Sequence, residues 1–210
     1  MGEIVLVPAE PTTARAVSGN VHGQFVEPAC APYLGPPYGP SPACNRVLTG
    51  TDGRAAFAVP PGDYFVYATH GPFWTLDREP VSLVAGASSS LAMSLEPLAG
   101  LLPPGVLSGD FHVHSGLSFD SAFPERDRAR TFVASGVDVI AATEHDVAAD
   151  FVDAIAELGI GDQVKVMPGV ETTGQILFYR PPGSSLPKVI GHYNFWPIVY
   201  DRNLPRNGAP

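Results

Sequence analysis

A proline- and glycine-rich stretch at 97–105 divides this chain into halves with different hydrophobic grammar. Before it, short apolar or alternating runs are separated by turn chemistry, which predicts strands without helices. After it, apolar runs alternate with helical patterns, which predicts β-α-β units and a parallel sheet, open or closed into a barrel. At 210 residues the chain has room for two ordinary domains. The expected fold class is therefore multidomain, β plus α/β. A small β-sandwich occupies 1–96, a linker 97–107, and part of a (β/α) barrel 108–210.

In the first half the expected strands are 17–26, 54–59, 64–69, 81–85 and 89–95. Asp52-Gly53 suits a tight hairpin turn, and Pro60-Pro61-Gly62-Asp63 marks another. His22 and His70 lack a second ligand at useful spacing and read as structural. In the second half, 124–135 is a helix with Pro124 tolerated in its first turn and Gly136 closing it. The runs 137–142 and 164–170 are buried strands. A second helix over 148–158 places Phe151, Val152, Ile155 and Leu158 on one face, with Gly159 at its end.

Composition removes several function classes. Formal net charge is −9 with only 12 Lys+Arg, so there is no basic footprint for nucleic acid. No apolar run approaches the roughly 18–20 residues of a membrane span. The first residues lack the basic and apolar regions of a signal peptide, so the protein is expected to be cytosolic or to begin further upstream. Cys30 and Cys44 bracket an irregular Pro/Gly loop and are expected to pair as a disulfide, which points to an extracytoplasmic, oxidising compartment.

The chemistry-bearing stretch is Gly-Asp-Phe-His-Val-His-Ser at 109–115. Residues i and i+2 of a strand share a face, so His112 and His114 aim two imidazoles at one point, with Asp110 on the same side to orient or neutralise them. Imidazole suits zinc, iron and nickel. Further polar residues follow the later apolar runs: Glu144-His145-Asp146, then Glu171, then His192-Tyr193-Asn194. Chemistry in parallel α/β folds gathers at the carboxyl ends of strands. A divalent metal on neutral imidazoles also calls for a carboxylate, and a metal pair can hold hydroxide at neutral pH. No Gly-x-Ser-x-Gly elbow or phosphate-binding glycine loop is present.

Two resemblances emerge from these motifs. Thr51-Asp52-Gly53-Arg54 followed by Val59-Pro60-Pro61-Gly62-Asp63-Tyr64 resembles the carboxypeptidase-regulatory-like fold over about residues 46–96, generally a structural or binding accessory. The second half resembles the polymerase-and-histidinol-phosphatase (PHP) superfamily, a distorted α/β barrel carrying two or three metal ions. His112-x-His114 matches its first motif, Thr143-Glu144-His145-Asp146 the second, Pro168-Gly169-Val170-Glu171 the third, and His192 the histidine that follows. With Ser115, Phe119-Asp120-Ser121 and Gly191-His192-Tyr193-Asn194-Phe195-Trp196-Pro197, the wording is closest to the carbaryl-hydrolase-like branch, which also places a small β-domain before the His-x-His.

The resemblance implies a metal-dependent hydrolase with two or three divalent ions, zinc, manganese or iron. His112 and His114 hold the first, Glu171 bridges, His145 and His192 hold the second, and Asp120 serves a third. Glu171 and His145 stand closest to the catalytic chemistry. The substrate is a small-molecule ester or phosphoester. Arg126, Arg128 and Arg130, on the first helix, are expected to be solvated, which leans toward a less anionic substrate.

The chain departs from the family pattern in three places. Glu144 stands where an Asp is usual and is expected outside the metal's ligands, and Asp120 lies one residue further on than usual. The family's later histidine and Asp-x-His are not found before Pro210, so the expectation is a truncated barrel with an incomplete site. The alternative reading is a non-catalytic binding or surface module whose barrel is a remnant.

Overall fold

The computed structural model describes residues 1–9, 46–57, 59, 61–175, 183 and 189–209. The expected strand 17–26, His22, Cys30 and Cys44 lie outside the described residues. Among the described residues the chain is a mixed β/α fold with three separate sheets and no closed barrel. It divides into two compact units, Met1–Leu107 with Arg130–Val137, and Ser108–Ala129 with Asp138–Pro210. No helix among the described residues is long and apolar enough to cross a membrane.

The first unit carries a four-stranded antiparallel sheet in the order β2-β1-β3-β4. Its strands are β1 (Glu3–Pro8), β2 (Arg46–Leu48), β3 (Gly62–Thr69) and β4 (Asp77–Leu83). Strict alternation along β3 sends Tyr64, Val66 and Ala68 inward, and Leu6 joins Tyr64 and Val66 in a core flanked by Ile4, Val47, Val81 and Met93. On the other face, the Arg78 guanidinium lies 3.8 Å from the Phe65 ring centroid, a cation–π contact across β3 and β4.

Two expected strands are corrected here. Asp52-Gly53 does form a turn, with Gly53 at φ 75 and Asp52 Oδ1 accepting the Arg54 N–H, but residues 54–57 that follow are not a strand. Residues 89–95 are not a strand either. Side chains take over the ladder there: Asp77 Oδ2 accepts the Ser94 N–H at 2.8 Å and Thr75 Oγ1 accepts the Glu96 N–H at 2.9 Å. Strand β1 went unpredicted, although its Ile4 and Leu6 alternate as an inward face should.

In the second unit, β5 (Gly109–Val113), β6 (Val139–Ala142) and β7 (Lys165–Pro168) form a parallel sheet with β6 in the centre. Ile140, Ala141 and Ala142 are completely buried, as a central strand covered on both faces requires. Helix α1 (Glu125–Ala134) follows β5, its residues from Arg130 on being counted with the first unit, and α2 (Val152–Leu158) follows β6. Helix α2 is shorter than expected because Phe151 takes a left-handed conformation, φ 50, at its N-cap. That backbone costs a bulky residue roughly 1–2 kcal/mol. Burying the phenyl ring to 2% exposure offsets this by about 1.5–3 kcal/mol. Val152 therefore points outward at 54% exposure, and Ala154 rather than Val152 is buried on this helix.

A further correction concerns the end of the chain. His192 does not follow a parallel strand, whereas Glu171 comes three residues after the parallel strand β7 and bridges His145 in parallel. Glu171 and His192 lie on β8 (Val170–Gln175) and β9 (Val189–Phe195), a two-stranded antiparallel ribbon. The chain leaves β7 through Gly169, where a Cβ would sit 2.8 Å from the Ala142 carbonyl oxygen, so only glycine fits this close approach.

Candidate metal centre

Three pieces of backbone converge on one point of the second unit: the end of β5, the loop after β6, and one face of the β8–β9 ribbon. Thr143 ties the first two, since its N–H donates to the Val113 carbonyl at 3.0 Å while its Oγ1 accepts the Val113 N–H at 2.8 Å. The third is anchored by backbone pairs on either side of His145. Glu171 N–H donates to the Glu144 carbonyl at 2.9 Å, and Asp146 N–H donates to the Glu171 carbonyl at 2.8 Å. Asp146 is left-handed, φ 57, and its Oδ1 accepts the Thr173 N–H at 2.8 Å. Thr173 is registered opposite His192, so Glu171, Thr173 and His192 share one face of the ribbon.

The side chains meet closely. His112 Nε2 lies 2.7 Å from Glu171 Oε2 and 2.8 Å from His114 Nε2, which is itself 2.9 Å from the same carboxylate oxygen. The other oxygen, Glu171 Oε1, lies 2.8 Å from His192 Nδ1. His145 Nε2 stands 4.0 Å from Glu171 Oε2 and 3.3 Å from Asp120 Oδ2, while its Nδ1 reaches Thr173 Oγ1 at 3.1 Å. The Phe119 ring stacks on the His145 imidazole at 4.4 Å between centroids.

These atoms make three groups with metal-ligating geometry: His112–His114–Glu171, His114–Asp120–His145 and His145–Glu171–His192. All six residues predicted as ligands are brought together. Their donor set of imidazole nitrogen and carboxylate oxygen is compatible with a divalent metal. The ligand atoms of each group lie within 4.8 Å of one another.

Electrostatics favour an anionic Glu171 although its side chain is only 3% exposed. Burial pushes its pKa up, but the His112 hydrogen bond and the charges of His112, His145 and His114 outweigh that, so it lies below the ordinary 4.5.

Two residues play parts other than those expected. Asp110 Oδ1 accepts the backbone N–H of His112 at 3.0 Å, so it braces the strand and not the imidazoles. Arg128 is not solvated: its Nε donates to the His114 carbonyl at 2.8 Å, and its guanidinium lies over the Phe123 ring. Arg126 is exposed as expected, and pairs with Glu157 at the surface.

Glu144 stands outside the three groups, fully buried, with Ser115 N–H donating to both its oxygens at 2.8 and 2.9 Å. Sequence reasoning missed Ser118 and Thr173. Ser118 Oγ touches His114 Nδ1 at 2.9 Å, Glu144 Oε2 at 2.5 Å and the His145 backbone N at 3.0 Å. The available signal was spacing: Ser118 is four residues after His114 and Thr173 two after Glu171, on the same strand face. No protein-family model matches the chain, and no curated protein matches it.

Proposed function

We propose that the second unit is a metal-dependent hydrolase centre of the PHP kind, acting on an ester-type bond in a small molecule. The observation that carries this reading is Glu171, whose two oxygens face different imidazoles, Oε2 toward His112 and His114 and Oε1 toward His192. A carboxylate so divided suits a bridge between two divalent ions, with His145 and His192 on the second and Asp120 available with His114 and His145 for a third. Zinc, manganese and iron all suit this donor set. Divalent ions held there supply Lewis acidity and bring the pKa of water toward about 7.

The chain's own residues contribute charge balance and orientation. Glu171 offsets cationic charge from a buried position, and the ribbon's backbone bonds to Glu144 and Asp146 hold it still. His145 is oriented by Thr173 on Nδ1 and covered by Phe119. The Arg128 guanidinium is engaged by the His114 carbonyl. Phosphoryl transfer draws on cations over the transferred group; among the described residues Arg128 is engaged elsewhere, which leans toward a carbamate or carboxyl ester. On this reading the second unit is of the PHP type, and the first unit is a carboxypeptidase-regulatory-like sandwich.

The test is hydrolysis of aryl carboxyl esters, carbamates and phosphoesters by the chelator-stripped chain, before and after adding Zn²⁺, Mn²⁺ or Fe²⁺. Metal-restored hydrolysis supports the proposal. Stoichiometric metal binding without turnover of any substrate class would favour the non-catalytic reading.

A further inference from the structure

We propose that Asn194 is a catalytic residue whose carboxamide donates a hydrogen bond to the carbonyl oxygen of the scissile ester or carbamate. The proposal rests on the hydrolase reading and gives one side chain a role that the candidate ligands leave open.

The β8–β9 register places Asn194 directly opposite Glu171, and His192 opposite Thr173. Glu171, Thr173, His192 and Asn194 therefore share the ribbon face that carries the centre. Three of the four are engaged. Glu171 meets imidazoles with both oxygens, His192 Nδ1 faces Glu171 Oε1, and Thr173 Oγ1 faces His145 Nδ1. The Asn194 carboxamide has no hydrogen-bond partner among the described residues. Asn194 is exposed where Glu171 is buried. Directly opposed Cβ atoms stand about 4.5–5.5 Å apart, so an accessible carboxamide lies beside the buried carboxylate.

Local preference does not explain an asparagine here. Its short amide competes for backbone hydrogen bonds, and strands are depleted in it. It nevertheless sits inside β9 between Tyr193 and Phe195, two good strand formers on the opposite face. A residue that works against its own strand and engages nothing in the chain points to a contact with something else. Its platform is rigid. Phe195 pairs with Val170 beside it, and the Ile198 N–H just beyond donates to the Pro168 carbonyl at 2.9 Å, tying the end of β9 to β7.

Acyl hydrolysis calls for such a group. Water's oxygen adds to the acyl carbon and water gives up a proton, while the C=O π pair moves onto the carbonyl oxygen. That pair returns as the bond to the alkoxy oxygen breaks, and the alcohol leaves with the proton. An N–H donor at the carbonyl oxygen binds more strongly as charge develops there, so it lowers the barrier more than it tightens substrate binding. The nearby hydroxyls of Ser118 and Thr173 are already occupied by Glu144 and His145.

The experiment is steady-state kinetics of the full chain, loaded with the ion that restores hydrolysis, on the aryl carboxyl ester or carbamate it turns over fastest. Asn194→Ala should lower kcat about 10²–10³-fold and leave KM within about threefold of wild type. Bound metal and the circular dichroism spectrum should remain those of the wild type. Asn194→Asp keeps the shape and loses both donors, so its kcat should fall at least as far.

A loss of kcat below about tenfold in Asn194→Ala overturns the proposal. So does an Asn194→Asp chain with the wild-type rate, or a fall in kcat matched by loss of bound metal. Should the alanine variant not fold, the aspartate variant decides. A wild type that turns over phosphoesters alone ends this role and leaves the hydrolase reading standing, whereas one that turns over no substrate ends both.

Discussion

Glu171 Oε1 lies 2.8 Å from His192 Nδ1, on the opposite side of the carboxylate from the oxygen that His112 and His114 share. The contact is made across the β8–β9 ribbon, where Thr173 is the residue registered opposite His192 and Glu171 is its neighbour on the same face. The centre therefore depends on an antiparallel pairing as much as on the parallel sheet, and strand register at 170–195 governs whether the two halves of the site meet.

That register is held in part by Asp146, which accepts the Thr173 N–H from a left-handed backbone. Asp146→Ala should destabilise by about 1–3 kcal/mol, since a donor loses its partner and alanine tolerates positive φ poorly. Asp146→Asn keeps an acceptor and suits that backbone, so it should be nearly neutral. Urea unfolding of both variants checks this, and an alanine variant as stable as the asparagine one would contradict it.

Among the described residues, Phe151 is the largest apolar side chain buried to this degree in the second unit, at 2% exposure. Phe151→Ala should cost about 3–5 kcal/mol, lowering the urea midpoint. A loss below about 1 kcal/mol would mean that the left-handed N-cap is not held by burial of the ring.

Glu125 gives a pH-dependent expectation. Burial, followed by the negative charges of Glu144, Asp150 and Asp153, raises its pKa above the ordinary 4.5. A carboxyl raised in the folded state favours folding below its ordinary pKa, and that contribution is lost as pH rises through the raised value. At neutral pH the ionised group is therefore a cost. Glu125→Gln should raise the melting temperature at about pH 7 and lose its advantage below about pH 4. Equal gains at both pH values would contradict the assignment.

The His-x-His stretch, helix α1 and the buried strand at 139–142 were legible because each is a local pattern: a two-residue period, a helical period with Pro124 and Gly136 at its ends, and a continuous apolar run. The strand at 3–8 was equally patterned but is placed by non-local pairing with β2 and β3. Five of the six ligand candidates were found from residue type and position after apolar runs, and Asp120 only from the family resemblance. Their geometry was not, because an apolar run before His192 reads alike whether its strand pairs parallel or antiparallel. Ser118 was invisible for another reason. A serine in a Gly-Leu-Ser loop is ordinary until three partners from different segments surround it.

The central claim is that Glu171 serves more than one ion, and metal stoichiometry tests it most directly. Equilibrium dialysis of the stripped chain against Zn²⁺, with bound metal read by mass spectrometry, should give about two ions or more per chain. Glu171→Ala should lose more bound metal than His112→Ala or His192→Ala, because each of these two imidazoles serves one group where the carboxylate serves two. A Glu171→Ala chain that kept full metal content, while folded by circular dichroism, would contradict the account.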